Sequence, residues 1–205
     1  MRFFCVQEGI EAKRKLNSLK KEFFRKTIHV CTAFVPLLLH FSKWSTIILI
    51  AVAGILYSIS ESFRIRGREI PIISDITAAA ARKRDENKFV LGPVTLVIGI
   101  VLAASFWGEK PAAIGILALA FGDGLASLSG KTFGKVKIPL TQGKTAAGSL
   151  TCFFAIFCAS WFVSHDSFAS LFIACVGAMV EVLPLKDFDN LLIPVMLGGI
   201  AQFLL

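Results

Sequence analysis

The sequence FVLGPVTLVIGIVLAASFW occupies residues 89–107 and contains no charged side chain. An α-helix needs roughly 20 mostly apolar residues to cross the hydrocarbon core of a bilayer, so this stretch predicts a transmembrane helix. The composition supports that prediction, because 55% of the 205 residues are hydrophobic and mean hydropathy is +0.72. Charged residues make up 18% of the chain, against about a quarter in soluble domains. We therefore expect one domain embedded in lipid.

Apolar stretches on both sides of this segment predict about seven transmembrane helices. The predicted spans are 27–42, 45–63, 89–107, 111–129, 146–164, 168–185 and 190–205. The predicted fold class is thus an all-α, polytopic integral membrane protein. It comprises a basic N-terminal segment at 1–26 and a membrane domain at 27–205, with loops at 64–88 and 130–145.

The positions of the 22 Lys and Arg residues predict the orientation of the chain. In the seven-span arrangement, all of them except Lys43 and Lys110 fall on one side, and cytoplasmic flanks are the ones enriched in Lys and Arg. The N-terminus, both loops and the functional face are therefore predicted to be cytoplasmic. The net charge of +8 is expected to attract anionic lipid headgroups rather than nucleic acid, because the basic residues flank membrane spans.

Asp123 is the polar residue whose position within a span most requires a reason, because intramembrane charge is costly and often functional. It lies near the inner end of the fourth predicted span, between Gly122 and Gly124. These glycines leave space for a ligand beside the carboxylate. We interpret Asp123 as a catalytic and metal-binding residue. The alternative is an ion pair with a basic residue that serves packing alone.

Two glycine- and lysine-rich segments follow Asp123, GKTFGK from Gly130 and GKTAAGS from Gly143. Such segments suit phosphate, because backbone N–H groups, a lysine and a helix N-terminus all attract anions. The predicted phosphate-binding residues are Gly130, Lys131, Gly134, Lys144, Thr145, Gly148 and Ser149. Alternatively, Thr145 or Ser149 caps the fifth helix. The spacing from Gly124 to Gly130 does not fit a Walker A loop.

Further carboxylates and a basic cluster lie at the inner ends of other spans. Mg²⁺ in proteins is typically held by one or two carboxylates together with phosphate oxygens. The predicted metal ligands are Asp123, Glu181, Asp189 and Asn190, although each acid is also a plausible cap or ion-pair partner. On the first span, Arg25, Lys26 and His29 share one helix face. They are predicted catalytic residues, with His29 either a general base or a structural histidine.

Taken in chain order, these motifs resemble one family of membrane enzymes. The matching blocks are Glu22-x-x-Arg25-Lys26-x-x-His29, Gly122-Asp123-Gly124-x-Ala126-Ser127-x-x-Gly130-Lys131-x-Phe133-Gly134, Lys144-Thr145-x-x-Gly148-Ser149, Glu181, and Asp189-Asn190-x-x-x-Pro194. The chain is similar over about residues 22–195 to the CTP-dependent lipid kinases, which include dolichol kinase, phytol kinase and CTP-dependent diacylglycerol kinase.

The resemblance implies a membrane enzyme that uses CTP and a divalent metal to phosphorylate a lipid alcohol. It implies that Arg25, Lys26, Asp123 and Gly130 matter for activity and that Lys144-Thr145 belongs to the nucleotide-binding part. One position departs from the family pattern, because Ala147 stands where the family usually has Glu. If that Glu binds metal, this protein has to use another carboxylate or bind the metal more weakly.

The function predicted from the sequence is transfer of the γ-phosphate of CTP to a polyprenol, a diacylglycerol or a phytol-like alcohol at the cytoplasmic face. Two alternatives stay open. One is a phosphatidate cytidylyltransferase that resembles CDP-diacylglycerol synthase. The other is a non-catalytic membrane protein or transporter, against which the long charged inner loops and the short outer ones argue. The sequence leaves the lipid, the base preference and the oligomeric state undetermined.

Overall fold

The computed structural model describes residues 19–68, 88–139, 141 and 143–205. Within these residues the chain forms seven helices, which confirms the predicted all-α fold. They are α1 (19–41), α2 (Lys43–Ile65), α3 (Gly92–Phe106), α4 (Glu109–Phe133), α5 (Ala146–Ser164), α6 (Ser167–Val182) and α7 (Asp189–Leu204). Residues 1–18 of the predicted N-terminal segment and most of the predicted 64–88 loop lie outside the described residues.

Two helices continue beyond the apolar stretches from which the spans were predicted. Residues 19–26 of the predicted N-terminal segment are helical and belong to α1, and α1 tightens into a 3₁₀ turn at Thr32–Phe34. Helix α4 runs to Phe133, so the connection predicted at 130–145 begins only at residue 134. Both extensions lie at the end of the bundle that carries the predicted site residues.

Three helices, α2, α4 and α5, are long and apolar enough to cross a membrane, while α3, α6 and α7 are shorter and also apolar. These helices indicate a membrane protein. Helix α4 is the most enclosed of the three long ones. About 67% of its apolar window is buried inside the protein, against 28% for α2 and α5. It contacts α5 and α7 over much of its length, so it forms the centre of the bundle.

Small residues bring α4 close to its neighbours, as in many membrane helix pairs. A Cβ atom on Gly115 would overlap the carbonyl of Pro194 and lie 3.0 Å from the backbone nitrogen of Gly198, both on α7. The chain therefore uses glycine where α4 crosses α7.

The middle of α4 widens into a π-helical turn at Ala118–Asp123. Such turns are rare and are frequently found at functional sites. A Cβ atom on Gly122 would lie 2.8 Å from the Ile156 side chain of α5, so α5 packs directly against the widened turn. The irregular part of the central helix thus ends at the buried carboxylate of Asp123.

The start of α3 is fixed against the end of α2 by a buried acid. Glu61 accepts hydrogen bonds from the guanidinium of Arg64 at 2.7 Å and from the backbone N–H of Val90 at 2.9 Å. Tyr57 donates to the Val90 carbonyl at 3.1 Å. These contacts set the position at which α3 begins.

Consecutive helices run antiparallel, so their ends collect at two opposite faces of the bundle. At one face the connections are short: Ser42, Trp107–Gly108 and His165–Asp166. At the other face meet the starts of α1, α3, α5 and α7 and the ends of α2, α4 and α6. The predicted site residues that the structure describes lie toward this second face.

Candidate active site

The centre of the site is an ion pair between α1 and α4. The Nζ of Lys26 donates to the Oδ2 of Asp123, and the two residues are only 2% and 5% exposed. His29 lies one helical turn further along the same face of α1, with its Nδ1 3.5 Å from the same carboxylate oxygen. Two charges buried together are expensive to desolvate, and such a pair adds little net stability. Their burial therefore points to a function beyond packing.

Glu22 connects α1 to the end of α4. Its carboxylate accepts from Arg25 on the same helix and from Lys131 on α4. Burial raises the pKa of Glu22, but Arg25, Lys131 and Lys26 together hold that pKa below its ordinary value. Glu22 was quoted in the family resemblance and was not predicted as a site residue. Its spacing of three from Arg25 and four from Lys26 is the signal that marks it.

A second ion pair joins the start of α5 to the end of α6. The Nζ of Lys144 lies 3.2 Å from Glu181 Oε1, and the Ser149 hydroxyl donates to Glu181 Oε2 at 3.1 Å. Glu181, which the sequence predicts as a metal ligand, therefore contacts a cation and a hydroxyl. The metal-binding role of Glu181 stays a prediction.

Thr145 caps α5, as the alternative interpretation of the sequence held. Its Oγ1 accepts from the Gly148 N–H at 3.2 Å, and the Ala146 N–H donates to the Val136 carbonyl at 3.0 Å. Two backbone donors at the start of α5 are thus already used within the protein. The lysines beside this helix start are the stronger candidates for contact with phosphate.

Gly130 and Gly134 let the end of α4 pack against the start of α5. A Cβ atom on Gly130 would lie 2.9 Å from the Thr145 Oγ1, and one on Gly134 would overlap the Gly130 carbonyl oxygen. Close packing therefore accounts for both glycines. Their predicted contact with phosphate stays a prediction.

Asp189 and Asn190 open α7. The Asn190 side-chain amide donates to the Gly92 carbonyl at 3.1 Å and to the Thr95 hydroxyl at 3.3 Å, which ties α7 to α3. A metal-binding role for Asn190 stays a prediction. Asn190 lines one of the two cavities that Asp123 borders, and Asp189 lines both of them.

The ends of α1, α4, α5, α6 and α7 enclose a cavity of about 310 Å³. Its charged lining residues are Glu22, Arg25, Asp123, Lys131, Lys144, Glu181, Lys186 and Asp189. Thr145 and Gly148 also line it. Its volume is at the lower end of the roughly 300–1,000 Å³ typical of small-molecule pockets. The structure therefore brings six of the eleven predicted catalytic and phosphate-binding residues around one space: Arg25, Asp123, Lys131, Lys144, Thr145 and Gly148.

Lys186 lines this cavity although the sequence did not mark it as a site residue. Its backbone is left-handed, with φ of 58°, which is uncommon for a residue other than glycine. Strained backbone of this kind is concentrated at functional sites. In the sequence, Lys186 is an ordinary basic residue in a short turn.

A second, smaller cavity of about 40 Å³ lies beside the first. The two share three lining residues, Arg25, Asp123 and Asp189. Lys26 and His29 line the smaller cavity. The carboxylates of Asp123 and Asp189 thus border both spaces.

The acidic residues suit a metal that arrives with phosphate. Among the described residues, no group of three or more His, Cys, Asp and Glu side chains is arranged to hold a metal ion by itself. Mg²⁺ commonly takes one or two protein carboxylates and completes its shell with phosphate oxygens and water. Asp123 and Asp189 fit that role better than they fit an all-protein metal cage.

Comparison with known proteins finds relatives that are named as kinases of prenyl alcohols. The chain is 26% identical over 222 residues to probable phytol kinase 1, chloroplastic, of Glycine max, covering 98% of this chain and 72% of that protein. It is 33% identical over 141 residues to farnesol kinase, chloroplastic, of Arabidopsis thaliana, covering 61% of this chain and 46% of that protein.

An uncharacterized protein of Methanocaldococcus jannaschii is 29% identical over 191 residues, with 89% of this chain and 93% of that protein covered. No protein-family model matches the chain, and no solved structure matches it. The resemblance to lipid-alcohol kinases, first drawn from the motifs, is confirmed by these relatives.

Proposed function

We propose that the protein is a CTP-dependent kinase that transfers the γ-phosphate to the hydroxyl of a membrane prenyl alcohol at the cytoplasmic face. The relatives named phytol kinase and farnesol kinase support a kinase acting on prenyl alcohols. The observation that carries the proposal is the buried Lys26–Asp123 pair, whose carboxylate borders two cavities of very different size.

The charges of the larger cavity suit a metal–polyphosphate complex. Four cations line it, Arg25, Lys131, Lys144 and Lys186, together with four acids, Glu22, Asp123, Glu181 and Asp189. A bare anion would be repelled by the acids, and a bare cation by the basic residues. A nucleoside triphosphate with Mg²⁺ presents both signs, so its phosphates pair with the lysines and its metal with carboxylates.

Phosphoryl transfer depends mainly on positioning and on stabilising charge on the transferred group. Lys131 and Lys144 would hold the phosphate chain, and Arg25 and Lys26 would neutralise the γ-phosphoryl oxygens. Asp123 and Asp189 would hold Mg²⁺, which supplies further neutralisation of phosphate charge. The alcohol oxygen would form a bond to the γ-phosphorus while its proton passes to a base, for which His29 is the candidate; the bond to the bridging oxygen breaks, and CDP leaves.

The proposed cytoplasmic position of the site rests on the basic residues around it. The face that carries the cavities also carries described basic residues such as Arg64, Lys137 and Lys144, and Lys- and Arg-rich flanks are typically cytoplasmic. The same residues would attract anionic lipid headgroups. A prenyl alcohol in the bilayer would thus present its hydroxyl at the face where CTP is available.

The proposal is tested with purified protein in mixed micelles that contain Mg²⁺ and CTP labelled at the γ-phosphate. Farnesol, phytol, a polyprenol, a diacylglycerol and phosphatidate are offered in separate reactions, and unlabelled ATP or GTP competes for the site. Label in a prenyl alcohol, displaced by CTP better than by ATP or GTP, is the expected result. Release of pyrophosphate with phosphatidate would instead establish a cytidylyltransferase. Absence of both products and of CTP binding would leave the non-catalytic alternative.

A further inference from the structure

The smaller cavity lies between α1, the start of α3, Asp123 on α4 and the start of α7. Its volume of about 40 Å³ holds only a few small groups, because a water molecule alone requires roughly 10–15 Å³ by this measure. It is too small for a nucleotide. It is large enough for a hydroxyl group with the carbon that bears it.

The lining of this cavity is amphiphilic. Its polar lining residues are Arg25, Lys26, His29, Asp123, Asp187, Asp189 and Asn190. Four apolar residues, Ile28, Val90, Pro93 and Leu96, also line it. The hydroxyl end of a long apolar alcohol combines the same two characters, with one polar atom followed by hydrocarbon.

His29 provides a buried polar atom that makes no hydrogen bond within the described residues. Its side chain is only 6% exposed, and its Nδ1 lies 3.5 Å from Asp123 Oδ2, too far for a good hydrogen bond. A buried polar group without a partner is unfavourable by about 1–3 kcal/mol and requires an explanation. A hydroxyl group bound in the cavity would satisfy this nitrogen.

The arrangement of the two cavities suits transfer between them. In phosphoryl transfer the attacking and leaving oxygens lie roughly in line on opposite sides of the phosphorus. Because Arg25, Asp123 and Asp189 border both cavities, a phosphate in the larger one and an oxygen in the smaller one would meet at these side chains.

We propose that the smaller cavity is the acceptor site, which binds the hydroxyl end of the prenyl alcohol through His29 and the apolar wall around Leu96. This inference rests on the proposed function for the identity of the alcohol. A different apolar groove of about 460 Å³ lies between α2 and α3, and it is the competing place for the hydroxyl end.

The test is photolabelling with a farnesol analogue that carries a diazirine beside the hydroxyl, in mixed micelles and without nucleotide. Adducts are mapped by mass spectrometry in the wild type, in Leu96→Phe and in Leu102→Phe. Both leucines are on α3, but Leu96 lines the smaller cavity and Leu102 lines the groove. The two variants therefore add the same ring at different places, and thermal unfolding checks that both fold.

We expect adducts on Ile28, Val90 or Leu96 that unlabelled farnesol displaces. Labelling there should fall at least tenfold in Leu96→Phe and stay unchanged in Leu102→Phe. His29→Leu should weaken labelling similarly, while His29→Gln, which keeps a hydrogen-bonding group, should restore most of it. Adducts confined to the groove, labelling that farnesol does not displace, or wild-type labelling in a folded Leu96→Phe would overturn the proposal.

Failure of the proposed kinase function would give a different result from failure of the proposed acceptor site. If the cavity is labelled as expected but no γ-phosphate of CTP reaches any alcohol, the binding site stands and the proposed function is wrong. If phosphate is transferred but Leu96→Phe labels and turns over like the wild type, the kinase stands and the acceptor site is wrong.

Discussion

The Nζ of Lys26 and the Oδ2 of Asp123 form a buried ion pair between two helices, although the residues lie 97 positions apart in the chain. The pair joins the first helix to the central one directly beside the widened π-helical turn. His29 adds a third polar side chain to the same position. Of this buried cluster, Lys26 and His29 line the smaller cavity, and Asp123 lines both cavities.

Removing one partner of the pair should destabilise the protein strongly. Lys26→Met leaves the Asp123 carboxylate buried without its cation, which typically costs about 3–5 kcal/mol. The double variant Lys26→Met with Asp123→Leu should recover most of that loss, because neither charge then remains. Denaturant unfolding in detergent measures the free energy of unfolding of the single and the double variant. Glu109→Gln, which removes an acid paired with His40 at the exposed opposite face, is the control and should change stability little. A stable Lys26→Met variant would contradict the account.

Much of the architecture could be predicted from the sequence because the signals are local. Uncharged stretches such as 89–107 predict helices without knowledge of their neighbours. Asp123 could be selected because an acid among apolar residues is costly unless it has a partner. The helix extensions were missed because residues 19–26 and 130–133 contain several charged residues, among them Lys20, Glu22 and Lys131, and their helical state depends on packing at the bundle end.

Parts of the site could not be predicted because they depend on contacts between distant residues. Glu22 becomes a site residue only through Lys131 on another helix. Lys186 becomes one only because its turn folds over the larger cavity. For Gly130, the sequence suggested contact with phosphate, whereas the structure shows a tight contact with Thr145. Sequence alone does not distinguish these two uses of glycine.

Lys144 should contribute to nucleotide binding through its charge. Lys144→Ala removes a cation from the larger cavity and is expected to raise the KM for CTP about tenfold or more, because hydrogen bonds to charged groups contribute roughly 1.5–3 kcal/mol. Lys137→Ala is the matched control, since Lys137 is exposed in the same connection. Steady-state kinetics at saturating alcohol measure the effect. Equal KM values for the two variants would show that Lys144 does not contact the nucleotide.

Lys186 should both strain the backbone of its turn and contribute to CTP binding through its charge. Lys186→Gly and Lys186→Ala both remove the charge and should weaken CTP binding equally. At a φ of 58°, the glycine variant should be more stable than the alanine variant by about 1 kcal/mol, because only glycine adopts this backbone without penalty. His165, at a φ of 57° on the opposite face, offers the control. His165→Gly and His165→Ala should show a similar difference in stability and no change in CTP binding.

Glu22 should make stability depend on pH. Its pKa is held below the ordinary value of 4.5, despite burial, by Arg25 and Lys131. A lowered carboxyl pKa stabilises the folded state above the unfolded pKa, and this contribution is lost as the pH falls through the folded pKa. Glu22→Gln should therefore be less stable than the wild type near neutral pH. The difference should shrink progressively as the pH falls below 4.5. A difference independent of pH would show that Glu22 acts through packing alone.

The most direct test of the central claim compares the wild type with Asp123→Asn in mixed micelles that contain farnesol, Mg²⁺ and CTP labelled at the γ-phosphate. Asparagine keeps the size of the side chain and removes the charge that faces Lys26 and both cavities. The account predicts label in the lipid with the wild type and a rate at least about 100-fold lower with Asp123→Asn, compared under conditions where denaturant unfolding shows that this destabilised variant is folded. Glu109→Gln should keep the wild-type rate. Transfer by Asp123→Asn at the wild-type rate would contradict the assignment of this cluster as the active site.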